Sequence, residues 1–157
     1  MPNVRSSPAA TFAFFVALLA SALLLGPALA HAFELPNKIG LPREEYFIVQ
    51  KAYRGWNQIA WVLGVQVIAF VSAAVLARAE RRVMLLTVLA LACVLAAQGV
   101  FWAFTYPANV ATNNWTVVPD TWASLRQQWE YSHAAGAAFQ LLGFCLLISA
   151  VLSRGRR

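Results

Sequence analysis

The chain has 157 residues, of which 61% are hydrophobic and only 11% charged, with a mean hydropathy of +0.62. That balance excludes an ordinary soluble domain, where about a quarter of residues are charged. Twelve Lys and Arg against six Asp and Glu leave a net charge of +6; with no nucleic-acid motif beside it, the excess is better explained by membrane orientation than by nucleic acid.

Four apolar blocks, roughly 9–32, 55–77, 83–106 and 129–152, reach the length of about 20 residues that a helix needs to cross a bilayer. Backbone groups in lipid must bond within their own segment, and the run 83–100 has none of the alternation of a barrel strand. The predicted class is therefore all-α, an integral membrane four-helix bundle forming a single domain over 1–157. Arg5, an apolar run and Ala28-Leu29-Ala30 also imitate a cleaved secretory signal. We read the run as a first span instead, because 11–25 is long for a signal core and His31 and Glu34 follow at once.

Pro42 followed by Arg43, Glu44 and Glu45 predicts a helix start, with a pattern that runs through Tyr46, Val49 and Tyr53 into the second span. The short link from Arg78 to Arg82 makes the second and third spans antiparallel neighbours. Asn, Thr and Pro crowd 106–119, which predicts turns folded over the outer mouth. Asp120 after Pro119 is placed to cap a fourth helix from Thr121. Cys93 and Cys145 lack a C-x-x-C partner and read as small core residues.

Placing the N-terminus, the Arg78–Arg82 hairpin and the C-terminus on one side gathers seven cations there against Glu80, while the other side is neutral. By the positive-inside rule both termini are cytoplasmic. All six tryptophans, Trp56, Trp61, Trp102, Trp115, Trp122 and Trp129, then fall toward the outer side, where amphipathic rings favour the interface.

Ionisable residues within spans are costly and point to function or to contacts inside the bundle. His31 and Glu34 share a helix face at the outer end of the first span, and Glu130 and His133 repeat the spacing in the fourth. They hold both histidines of the chain at one depth. Three readings stay open: a site for a single transition-metal ion held by His31, Glu34, Glu130 and His133, metal-free acid–base work by the same residues, or hydrogen-bonding glue between helices. Arg126 lies four before Glu130 and is expected to pair with it. Trp102, Asn109, Arg126 and Trp129 are candidate substrate contacts, and Gln66, Gln98, Gln140, Asn57 and Gln58 extend the polar layer.

His31-x-x-Glu34-Leu35-Pro36, Pro107-x-Asn109 and Arg126-x-x-Trp129-x-x-x-His133 together resemble the small four-helix bacterial membrane proteins grouped with anthrone oxygenase in a domain-of-unknown-function family. The resemblance covers about 9–152. It implies a multi-pass protein of the bacterial inner membrane with an oxygenase-like or aromatic-binding role and no obvious cofactor. The expected function is binding or oxidation of a small hydrophobic or aromatic molecule at an outer-leaflet pocket. The alternative is a non-enzymatic small subunit of a larger membrane complex or oligomer, with Gly136, Ala137 and Gly143 letting a partner helix approach.

Overall fold

A computed structural model describes residues 7–155, so Arg5, Arg156 and Arg157 of the basic side lie outside the described residues. The described residues form helices and turns with no strand. Helix α1 is Pro8–Lys38, α2 Arg43–Gln50, α3 Ala60–Leu76, α4 Arg81–Val100, α5 Tyr106–Ala111 and α6 Trp122–Ser153. A π-helical stretch, Phe101–Thr105, joins α4 to α5. Four helical segments, Pro8–Lys38, Trp56–Leu76, Arg81–Ala111 and Trp122–Ser153, are long and apolar enough to cross a membrane.

These four pack as a ring in which α1 touches α3 and α6, and α4 touches α3 and α6. The chain thus runs up and down through successive neighbours. Its interior is filled by small residues, Ala13, Ala17, Ala69, Ala73, Ala90 and Ala150, around Phe14, Phe70, Val83, Val94 and Leu147. Large aliphatic side chains such as Ile68, Val75, Leu89 and Leu142 face outward. A soluble bundle has the reverse arrangement; small residues inside and bulky ones outside suit helices that gain nothing by hiding Leu from lipid and gain from close backbone approach. The outward faces are compatible with bilayer contact.

At mid-bundle the Gln66 amide, fully buried, donates to Ser21 Oγ at 3.0 Å and to Gln140 Oε1 at 3.5 Å, so three spans share one polar layer. At one end Arg154 lies over the Phe14 ring and reaches Thr11, while Glu80 accepts from the Gly155 N–H. Both ends of the described chain and the Arg78–Glu80 turn therefore meet at the same end of the bundle.

Three expectations about elements are corrected. The helix begun at Pro42 does not continue into the second span: it tightens to a 3-10 turn at Lys51–Tyr53 and breaks at Gly55, whose φ of 86° is left-handed. The region 106–119 is not all turn, since α5 fills its first half before Asn113, Asn114 and Trp115 adopt positive φ. Asp120 caps nothing; the residue preceding α6 is Thr121, without a side-chain cap bond. Of the two glycines expected to admit a partner helix, one is already occupied within the chain. A Cβ at Gly143 would lie 3.1 Å from Ala90 O and 3.2 Å from Cys93 Cβ, so this face packs on α4 of the same chain, while nothing lies within 4 Å at Gly136. Cys145 is exposed on the outside of the bundle rather than in its core.

Candidate functional site

The end of the bundle opposite the chain termini is built from α1, α2 with its 3-10 turn, α5 with the following loop, and the start of α6. Helix α1 runs through Pro27 and Pro36 to Lys38, so Glu34 and Lys38 stand four apart on one face beyond His31. Tyr46 and Gln50 repeat that spacing on α2. The left-handed turn at Gly55 reverses the chain after Tyr53 and leaves that side chain against α1.

Glu130 is fully buried, and so is Tyr46. Glu130 Oε1 forms an ion pair with Lys38 Nζ at 3.1 Å and accepts from the Tyr46 hydroxyl at 2.9 Å; Gln50 Nε2 donates in turn to Tyr46. Lys38, only 3% exposed, also donates to the Tyr53 hydroxyl at 2.8 Å, and Tyr53 donates to Glu34 Oε2. The ammonium lies 4.5 Å from the Tyr53 ring centroid and 4.9 Å from that of Trp129, so aromatic faces supply part of its solvation. Burial, reinforced by the carboxylate each one faces, Glu130 for Tyr46 and Glu34 for Tyr53, pushes both phenols far above the ordinary value of 10.0. Both remain donors throughout the physiological range.

The two histidines meet. His31 and His133 stack with centroids 4.2 Å apart and planes 18° from parallel, and Trp129 presents its edge or face to both at 5.1 and 4.1 Å. Tyr53 and Trp56 close the other side of His31. Asn109 is tied in through its side-chain oxygen, which accepts from Trp129 Nε1 at 2.8 Å. Trp115, held in a left-handed conformation at φ 62° by its N–H bond to Thr112 Oγ1, packs on Tyr46, Phe47 and Trp129. A positive φ at so bulky a residue is a true backbone outlier, and such strain concentrates at sites that need one fixed side-chain position.

Two expected members sit elsewhere. Arg126 does not pair with Glu130; its Nη1 donates to Leu41 O at 2.7 Å and its guanidinium lies over Trp122 and Tyr46, clasping the loop before α2 to α6. Trp102 is 59% exposed and packs with Phe101 and Tyr106, away from the histidines, because the π-helical stretch turns it outward. The four residues weighed as metal ligands are divided between a histidine stack and two carboxylates that share Lys38. Among the described residues, no group of three or more His, Cys, Asp or Glu is placed to hold a metal ion. The position of a cation between the carboxylates is taken by the ammonium.

Lys38, Tyr46, Gln50 and Tyr53 were not singled out from the sequence. Their signal was present as i,i+4 spacing, Glu34 to Lys38 and Tyr46 to Gln50, but Lys38 reads as one more outer-side charge until the fold buries it.

Several buried polar atoms here have no partner, namely Glu130 Oε2, Gln50 Oε1, His31 Nδ1, Trp115 Nε1 and Arg126 Nε. Buried polar groups are nearly always bonded, so a group of orphans in one region marks where a water or ligand completes the structure. An open groove of about 420 Å³ between the π-helical stretch and α6 is lined by Phe104, Gln128, Tyr131 and Ser132. Its wall residue Ser132 bonds Thr105 and the Trp129 carbonyl, one turn from the histidine stack. No family model, curated protein or solved structure matches the chain.

Proposed function

We propose that the chain is a multi-pass protein of the bacterial inner membrane, both termini cytoplasmic, whose outer cluster binds a small hydrophobic aromatic molecule bearing an acidic O–H or C–H. The excess of arginine at the end carrying Arg78, Arg81, Arg82 and Arg154 supports the orientation. The single observation that carries the ligand reading is Glu130: one oxygen is held by Lys38 and Tyr46, and the other is buried without a donor. A hydroxyl or activated C–H delivered to Oε2 would satisfy it, and the neighbouring aromatic cluster of Trp129, Trp115 and the stacked histidines supports an aromatic ligand. Glu130, steadied by Lys38, then serves as base, and His31 or His133 as the second proton-handling group. Electron loss from the resulting anion to dioxygen or a quinone is the oxygenase-like extension of this reading.

The test is a titration of the purified, lipid-reconstituted protein with 1-naphthol and with anthrone, followed by tryptophan fluorescence. Saturable quenching that is weakened at least about tenfold in Glu130→Gln is expected. Linear, unsaturated quenching identical in both proteins sinks the ligand reading.

A further inference from the structure

Two hydrogen bonds and one ion pair at the end opposite the chain termini join into a single path. It begins at Glu34, whose side chain is 47% exposed, passes through the Tyr53 hydroxyl to Lys38 Nζ at 2.8 Å, and reaches Glu130 Oε1 at 3.1 Å. Its two terminal carboxylates differ in surroundings: one meets water, and the other is fully buried. A structural ion pair would need only Lys38 and Glu130. Beyond solvating the buried ammonium, the link outward through the Tyr53 phenol joins the pair to a second, water-exposed carboxylate, Glu34.

We infer that Glu34, Tyr53 and Lys38 form a proton relay that exchanges protons between the outer aqueous face and the buried carboxylate of Glu130. Inward transfer balances as follows. The Lys38 ammonium gives a proton to Glu130 Oε1, leaving a neutral amine and a carboxylic acid. The amine takes the Tyr53 hydroxyl proton as Tyr53 oxygen receives one from protonated Glu34, and Glu34 is restored to carboxylate. The net change is one proton moved from outer water to Glu130, with Tyr53 and Lys38 regenerated. Outward transfer reverses each step and would return a base that has taken a substrate proton to its starting state. The other titratable or charged groups facing the path are Tyr46 from α2, His31 from α1, His133 from α6, and Arg126 from α6 above the Tyr46 ring. None of them bridges the gap that Tyr53 fills between Lys38 and Glu34, whose direct separation of 3.7 Å is too long for a hydrogen bond.

The inference rests on the proposed role of Glu130, but its test uses no ligand, so the two can fail separately. The full-length protein in lipid is transferred from H₂O to D₂O under an infrared cell, and the Glu130 acid carbonyl band is identified by its loss in Glu130→Gln. In the wild type the band shifts to its deuterated position promptly. In Tyr53→Phe and in Glu34→Gln the shift is slowed at least about tenfold, the scale of losing one positioned proton-transfer group. Backbone amide exchange in the same spectra is unchanged. A loosened variant would exchange faster, so slowing has a sign that damaged packing cannot produce. Equal rates in wild type and Tyr53→Phe overturn the relay, as does the absence of a Glu130-dependent acid band anywhere between about pH 4 and pH 9. Retained 1-naphthol binding in a slowed Tyr53→Phe variant would leave the ligand reading intact.

Discussion

Lys38 is the residue on which the cluster opposite the chain termini turns. A lysine 3% exposed is tolerable only because its three donors find Glu130 and Tyr53, with Glu34 near, and because two aromatic faces stand in for water. Replacing it by Met leaves Glu130 buried with a single neutral donor, so Lys38→Met should destabilise the fold by about 3–5 kcal/mol. Pairing it with Glu130→Leu removes the stranded charge and should recover a large part of that loss, which thermal unfolding of both variants in detergent checks. Tyr46→Phe removes a donor to Glu130 and the acceptor of Gln50, at about 1–3 kcal/mol. The raised phenols set a pH effect with a definite sign. Because Tyr46 and Tyr53 ionise above 10.0 when folded and near 10.0 when unfolded, their contribution is complete below pH 10 and is lost as pH rises beyond it. Unfolding midpoints should therefore fall from about pH 10 upward, and Tyr46→Phe should flatten part of that fall.

At the scale of elements, two glycines show what spacing conveys and what it does not. Gly55 opens the apolar block 55–77 in the sequence, but its φ of 86° makes it the joint beside which Tyr53 packs back onto α1. Gly55→Ala should cost about 1–2 kcal/mol, the penalty of a left-handed Cβ, and should weaken the Tyr53 contacts before it affects the bundle. Gly143 and Gly136 look equivalent in sequence, yet only at Gly143 would an added Cβ meet a neighbouring backbone, Ala90 O at 3.1 Å. Gly143→Ala should lower the thermal midpoint by several degrees, whereas Gly136→Ala, whose Cβ meets nothing within 4 Å, should not lower it. The helix from Pro42 is a similar case. Its start was legible from a proline followed by two acids, but its end depended on Gly55, which the apolar pattern beyond it obscured.

The whole molecule gathers the Arg78–Glu80 turn and the Arg154 segment at one end and the site at the other. With the orientation proposed above, a membrane-impermeant maleimide applied to intact cells should label Val117→Cys and spare Ala79→Cys, in a background where Cys93 and Cys145 are replaced. The opposite pattern would reverse the orientation and place Glu34 on the cytoplasmic side. Much of this architecture was determined by the sequence alone. Four apolar blocks require helices because lipid offers the backbone no partner, the short Arg78–Arg82 link requires antiparallel neighbours, and the spacing of His31, Glu34, Glu130 and His133 puts all four at one level. Only the tertiary structure decided how that level is wired. Ring order brings α1 against α6, so the histidines stack on each other, and α2 folds over the end, so Glu130 bonds Tyr46 and Lys38 instead of Arg126. Periodicity specifies a side chain's face within its own helix, while its partners depend on which helices meet and on the loop that covers them.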